Sequence, residues 1–169
     1  MSPAAVRVVE GRTWVFADAN VNTDLIMPSA AFRLPEEEQV KLVFSTNRPG
    51  WAQQVGSGDV LIGGRNFGTG SSRPGAELLH RVGVGALVAE SINDLFYRNC
   101  VNYALPALEC PGITAAVEEG DVVRVDVGEG TVTNLRTGQT LTGARMPEML
   151  LDIIAAGGLL QRLKTEGYV

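Results

Sequence analysis

The sequence predicts a mixed α/β domain with a β-rich rim, on three observations. Two buried-strand runs, Asp59–Gly63 and Ala86–Ala89, flank a helix-like stretch, the pattern of a βαβ unit with parallel strands. From Asp121 the pattern switches to strict alternation, Val-Val-Arg-Val-Asp-Val, then Gly128-Glu-Gly130 and Thr-Val-Thr-Asn-Leu, which signals a hairpin. The chain has 169 residues, 45% hydrophobic and 20% charged, enough for one compact domain (residues 1–169) with a core.

Taken in order, Val6 to Phe16 is β-branched and aromatic but broken by Gly11, which predicts two short strands around a turn. The polar stretch Asp18 to Asp24 then predicts a loop rich in side-chain acceptors, feeding a brief strand at Leu25-Ile-Met27 that Pro28 stops. Pro35 followed by Glu36, Glu37 and Glu38 has the form of a first helical turn, with acids at the positive end of the dipole. Val40, Leu42, Val43 and Phe44 give that helix its buried face, and it should end near Asn47-Arg-Pro-Gly50. Pro74 is placed to open a helix carrying Ala76, Leu78, Leu79 and Val82, closed by Gly83. Ser91 and Asp94 suggest a capping box for a helix with Ile92, Leu95, Phe96, Cys100 and Tyr103 on one face. At the C-terminus, Pro147 to Leu163 predicts a helix interrupted at Gly157-Gly158.

Composition excludes several classes of partner. The net charge of −5 and the lack of a Lys/Arg-rich run argue against nucleic acid and against anionic membrane surfaces. No apolar run approaches the roughly 20 residues of a spanning helix, and the first residues lack the apolar core of a signal peptide, so a cytoplasmic location is expected. With Cys100, Cys110 and the single His80 unpaired by any metal-ligand spacing, the chain should bind no cofactor or metal itself.

The chemistry is expected in the loop that follows the first buried strand, Gly64-Arg-Asn-Phe-Gly-Thr-Gly-Ser-Ser-Arg73. Glycines there would let backbone amides converge on an anion, and the helix that follows would add a favourable field. Arg73 offers a planar fork for a carboxylate, and Ser71 and Ser72 offer hydroxyls that oriented amides could activate. No Gly-Lys-Ser/Thr follows, and the third glycine of a dinucleotide fingerprint is missing, so nucleotides fit less well than a small polycarboxylic acid. A tight strand-to-helix turn with a surface arginine would carry the same residues without any ligand.

This loop resembles the Gly-Ser-Ser-Arg stretch of the aconitase and isopropylmalate isomerase swivelling domain, the small subunit of 3-isopropylmalate dehydratases. Asn20-Val-Asn-Thr-Asp-Leu-Ile-Met-Pro28 is similar to that family's Asp-Thr-Asp segment, and Ser91 to Pro106 to its downstream helix and strand. The order and spacing agree over about residues 10 to 165. The resemblance implies a swivelling β/β/α domain that closes over a [4Fe–4S] cluster held by a separate large subunit. It implies reversible dehydration of a hydroxy di- or tricarboxylate, as in leucine biosynthesis, with Ser71 as the base in alkoxide form. Ser72 and Arg73 would bind the substrate carboxylate, with Gly70, Thr69 and Asp24 beside them. An alkoxide demands oriented donors and positive charge, which the loop and Arg73 would supply. The chain departs from the family at Thr69, where Cys or Glu is common, and at Pro74-Gly75, where Glu-His is common. Those departures imply altered substrate choice or weakened activity, and the Ser29 to Leu34 segment is where substrate side chains would be recognised.

Two readings from other classes stand beside this one. The chain could be a non-catalytic regulatory or assembly module, or a stand-alone domain that uses the loop for a phosphorylated metabolite. Elsewhere the residues call for ordinary roles. His80 fits a helix C-terminal turn, Cys100 shares a helical face with Phe96 and Tyr103, and Glu36 to Glu38 form a solvated helix start. Asp24 fits an Asx-type loop fixture as well as a ligand.

Overall fold

The computed structural model describes residues 7–70 and 73–169. Its frame is a seven-stranded sheet in the order β4-β3-β2-β1-β5-β6-β7. The strands are β1 (Val8–Phe16), β2 (Val60–Gly63), β3 (Ala86–Ala89), β4 (Ala107–Glu109), β5 (Val122–Asp126), β6 (Thr131–Asn134) and β7 (Thr140–Thr142). From β4 to β1 the pairing is parallel, and from β1 to β7 it is antiparallel.

The switch happens within β1. Val8–Arg12 pair antiparallel with Asp126–Val122, while Thr13–Phe16 pair parallel with Val60–Gly63. The expected pair of strands around Gly11 is therefore one continuous strand of nine residues. Gly11 is required by packing and not by a turn, since a Cβ there would lie 2.1 Å from the Gly58 carbonyl oxygen.

The parallel half is covered on both faces, so β2 and β3 are buried at every position. Side-chain alternation divides the core in two. Leu61 and Leu87 join a cluster with Trp14, Phe16, Phe44, Trp51, Phe67 and Phe96, while Val60, Ile62 and Val88 join one with Val123, Val125, Val132, Met146 and Ile154. In the first, Phe16 stacks on Phe44 at 4.3 Å and Trp51 meets both rings edge-on.

The helices are α1 (Thr23–Ile26), α2 (Glu36–Lys41), α3 (Trp51–Gln54), α4 (Gly75–Val82), α5 (Asp94–Asn102), α6 (Ile113–Ala116), α7 (Glu148–Ala155) and α8 (Leu159–Thr165), with a 3₁₀ turn at Ser29–Ala31. Where a strand was expected at Leu25–Met27, α1 forms instead, because the Asn22 side chain accepts from the Asp24 amide at 2.8 Å and nucleates a turn. α2 ends at Lys41, short of the expected boundary, and Phe44 enters the core at φ +58° while donating its amide to Ile26 O. α4 follows Pro74 and stops at left-handed Gly83, φ +112°, as expected. The cap of α5 is Asn93, which accepts from Leu95 and Phe96, and not Ser91, whose hydroxyl accepts from Asn66 N. The terminal helix breaks at Gly157-Gly158 into α7 and α8.

The antiparallel rim carries an ion pair with a pH signature, between buried Asp121 and the exposed Arg136. Asp121 accepts from Arg136 Nε at 2.5 Å, from Glu118 N and from Asn134 Nδ2, contacts that hold its carboxyl far below the usual carboxylate range. A depressed folded-state value gives stability that is complete above the unfolded value of about 3.9 and fades as the pH falls below it. Asp121→Asn is therefore expected to flatten the fall in melting temperature between pH 5 and pH 3, measured beside the wild type. An unchanged acid limb would mean the carboxylate contributes nothing to folding.

Candidate active site

The parallel strands β1, β2 and β3 end on the same edge of the sheet, and the loops that leave them are laced together there. Asn20 N donates to Arg65 O at 2.8 Å, Gly68 N to Val21 O at 2.7 Å and Thr23 N to Thr69 O at 2.9 Å. On the other side Phe67 N donates to Ser91 O and Asn93 N to Phe67 O. The glycine-rich loop thus lies as a middle strip between the other two. Ligands of open parallel sheets bind outside the carboxyl ends of the strands, which is this edge.

Most of the glycines serve the lacing. A Cβ at Gly64 would lie 2.4 Å from Ala17 O, and one at Gly68, whose φ is +82°, would lie 2.1 Å from Phe96 Cγ. The amides of Phe67 and Gly68 are already spent on Ser91 O and Val21 O. The expected convergence of amides on an anion is therefore not built by this part of the loop. Gly70, at φ +74° and exposed, is where the strip leaves the lacing, and a Cβ there would lie 2.9 Å from Asn22 Oδ1 and 3.2 Å from Thr23 Oγ1. Thr69 is half-buried, tied by its carbonyl to Thr23. Ser71 and Ser72 lie outside the described residues.

Arg73 is the best-defined side chain of the site. Its Nε lies 2.9 Å from Asp24 Oδ1, its Nη1 donates to Met27 O at 2.5 Å, and its Nη2 is 3.4 Å from Ser29 Oγ. The Phe32 ring covers the guanidinium at 4.6 Å. The Arg73 side chain is 12% exposed and that of Asp24 is 56% exposed, so the carboxylate forms the outer wall and the arginine the inner one. Asp24 and Arg73, far apart in sequence, are brought into one corner with Thr69 and Gly70.

Sequence reasoning singled out the acid of the Asn20–Pro28 segment but missed Thr23, which is buried beside Gly70. Met27 O and the Phe32 ring were also missed, since a backbone carbonyl leaves no mark in a residue pattern. Gly75 is buried, and a Cβ on it would meet Ile26 Cδ1 at 3.0 Å and Phe96 Cε2 at 3.2 Å, so a side chain there would have to displace those two groups.

His80 and the two cysteines have other settings. His80 sits at the end of α4 away from Arg73 and lines a cleft of about 630 Å³ with Glu10 and Ser57, where burial, then the charge of Arg81, lowers its pKa. Cys100 and Cys110 are both buried, and burial pushes both thiols up. Among the described residues no group of His, Cys, Asp and Glu is gathered as a metal site, and two protonated, separated thiols do not fit an iron–sulfur cluster.

Known proteins match this arrangement along almost the whole chain. The aconitase C-terminal domain family matches residues 19–112, which contain all the loops described above. The isopropylmalate/citramalate isomerase small subunit of Methanocaldococcus jannaschii is 41% identical over 160 residues, covering 93% of this chain and 94% of that one. The chain belongs to the 3-isopropylmalate dehydratase small-subunit family. A further relative, the 3-isopropylmalate dehydratase small subunit 1 of Methanopyrus kandleri, is 40% identical over 95% of both chains. The crystal structure of 3-isopropylmalate dehydratase from M. jannaschii superposes with a TM-score of 0.85 at 28% identity, over 94% of this chain and 95% of that one. The aconitase-type α/β swivelling fold of this family is thus the fold of the chain, with the antiparallel β5-β6-β7 ribbon as its β-rich rim.

Proposed function

We propose that the chain is the lid-forming small subunit of a two-chain hydro-lyase that reversibly dehydrates an isopropylmalate-like hydroxy di- or tricarboxylate, as in leucine biosynthesis. The observation that carries this is the corner in which Arg73 is held between Asp24, Met27 O and Phe32 at the carboxyl edge of the sheet, directly beyond Gly70. A guanidinium held by a backbone carbonyl and covered by the Phe32 ring presents a set charge at this edge for a substrate carboxylate. The small-subunit names of the relatives support a large-subunit partner for this chain. The donor set of this chain does not fit a [4Fe–4S] cluster, which supports a cluster carried by that partner.

The share of this chain is carboxylate binding and proton transfer. Ser71 Oγ, as an alkoxide, would take the proton from the carbon beside the carboxylate, and that C–H electron pair would form the C=C bond. The C–O pair would leave with the hydroxyl, for which a cluster on the partner would supply the Lewis acid and a proton from solvent would complete the water. Re-addition of water reverses the proton movement. Ser72, Thr69 and Gly70 line the same carboxylate, and Asp24 closes its outer side. The net charge of −5, and the absence among the described residues of any helix long and apolar enough to cross a membrane, fit a small-molecule enzyme of the cytoplasm and not a nucleic-acid or membrane-bound one.

The test is anaerobic reconstitution with a large subunit of the family and a panel of 2-alkylmalates and homoaconitate-like acids. Turnover is expected only with both chains present. Tight binding of phosphate or a dicarboxylate by this chain alone, with no turnover on any acid in the complex, would replace the dehydratase reading with that of a free-standing anion-binding module.

A further inference from the structure

We propose that the edge of β1 at Val8–Gly11 is a docking strip, on which an extended, basic segment of the large-subunit partner adds as a further strand. The inference rests on the dehydratase reading above for the identity of that partner, and it assigns a surface that the dehydration itself does not use.

The strip follows from the way β1 changes partners. Val127 N donates to Arg7 O and Thr13 N donates to Asp121 O, so the odd-numbered residues from Arg7 to Thr13 turn their backbone groups toward β5. The N–H and C=O of Val8 and Glu10 therefore point the other way. β2 does not meet them there, because its pairing with β1 begins at Thr13 and runs on to Phe16. Roughly 13 Å of strand edge is left without a neighbouring strand among the described residues. Exposed edges of this kind are usually blunted by lysine or proline, and Val8-Val-Glu-Gly11 has neither.

The space beside the strip suits a strand. It is the cleft of about 630 Å³, lined by Val8, Val9 and Glu10 and also by Gly58, Gly83 and Gly85. Three glycines make a wall without side chains, which another backbone can approach closely. Val84, Pro106 and Ile154 add apolar lining for the side chains that alternate along an added strand. Gly58 precedes β2 and Gly85 precedes β3, so the cleft lies at the amino ends of the parallel strands. That is the edge opposite Arg73, and a segment bound there leaves the candidate site open.

Charge selects the kind of segment. The exposed carboxylate of Glu10 stands at the cleft, while burial lowers the pKa of His80 and leaves its imidazole neutral near pH 7. α4 and α7, of eight residues each, both end here, with Gly83 and Gly157 in the lining, and turn the negative ends of their dipoles toward it. A segment bearing lysine or arginine complements that field. A second copy of this chain would bring the same Glu10 and a net charge of −5, and so fits less well.

The test is amide hydrogen exchange at Val8 to Gly11, in the full chain alone and in the reconstituted two-chain complex. In the free chain the Glu10 amide is expected to exchange fast beside slower Val9 and Gly11, and assembly is expected to slow it at least about tenfold. Glu10→Pro removes the donor on the cleft side and no bond to β5, so its melting temperature should stay within about 3 °C of the wild type's. Its Kd for the large subunit should rise about tenfold. Glu10→Lys keeps the amide and reverses the charge, and should raise Kd about threefold or more at low salt, with the difference shrinking as salt is added. If Glu10→Pro fails to fold, the exchange data and Glu10→Lys decide. A Glu10 amide that is already slow in the free chain, or that stays fast in a complex with turnover, would overturn the inference and leave the dehydratase reading standing. Wild-type Kd in both variants would do the same. A complex that protects Glu10 but dehydrates no acid would support the docking strip and sink the dehydratase reading.

Discussion

Gly68→Ala is expected to lower the melting temperature by roughly 5 to 15 °C. Two costs combine at that position. Its φ of +82° is a left-handed conformation that costs an L-residue about 1–2 kcal/mol. The added methyl would also stand 2.1 Å from Phe96 Cγ and 2.5 Å from Cδ1. Phe96 is 2% exposed and packs edge-on against Phe67 at 5.7 Å, so the ring has no free volume to enter, and overpacking of this kind costs about 1–3 kcal/mol. For a chain of this size each kcal/mol is worth roughly 2–4 °C. Gly120→Ala separates the two costs, because Gly120 has φ +93° but nothing within 4 Å of its Cβ position. Scanning calorimetry of both variants decides the matter. If Gly68→Ala melts no lower than Gly120→Ala, the ring yields freely and the contact with Phe96 does not hold the loop.

That glycine marks the boundary of what the sequence could disclose. The strand-loop-helix pattern around Gly64 to Arg73 and the βαβ order were legible because periodicity and Pro/Gly punctuation report local structure directly. The hairpin of β5 and β6 was legible for the same reason. The roles of the glycines were not, because Gly11, Gly64 and Gly68 each answer to an atom distant in sequence, namely Gly58 O, Ala17 O and the Phe96 ring. A composition rich in glycine fits an anion cradle and a close-packed seam equally well, and only the fold shows that most of these positions belong to the seam. α1 and β7 escaped for a related reason. Four residues, Thr23–Ile26, and three, Thr140–Thr142, are too few for a period to emerge, and their conformations are set by the Asn22 cap and by pairing with β6. Asp24 and Arg73 were each visible as candidates, yet their pairing across 2.9 Å could be seen only once the two loops were laid side by side.

The pairing gives the sharpest test of the site, because it allows two outcomes for Arg73→Lys. The arginine uses Nε toward Asp24, Nη1 toward Met27 O and its face toward Phe32, and a lysine ammonium, a single point on a flexible stem, cannot reproduce that plane. If Arg73 anchors the substrate carboxylate, losing an oriented charged pair of this kind costs about 2–5 kcal/mol, which is roughly 30- to several-thousand-fold in kcat/KM. We expect that loss, with most of it in KM, because the carboxylate is bound in the ground state as well as in the transition state. Asp24→Asn should behave differently. It leaves the guanidinium charge and the contacts to Met27 O and Phe32 in place, so kcat/KM should fall less than in Arg73→Lys. The contrary outcome is a fall in melting temperature for Arg73→Lys with kcat/KM held within about threefold in the two-chain complex. Arg73 would then be a rivet between the loop after β1 and the start of α4, and the carboxylate would have to be bound elsewhere on the carboxyl edge of the sheet.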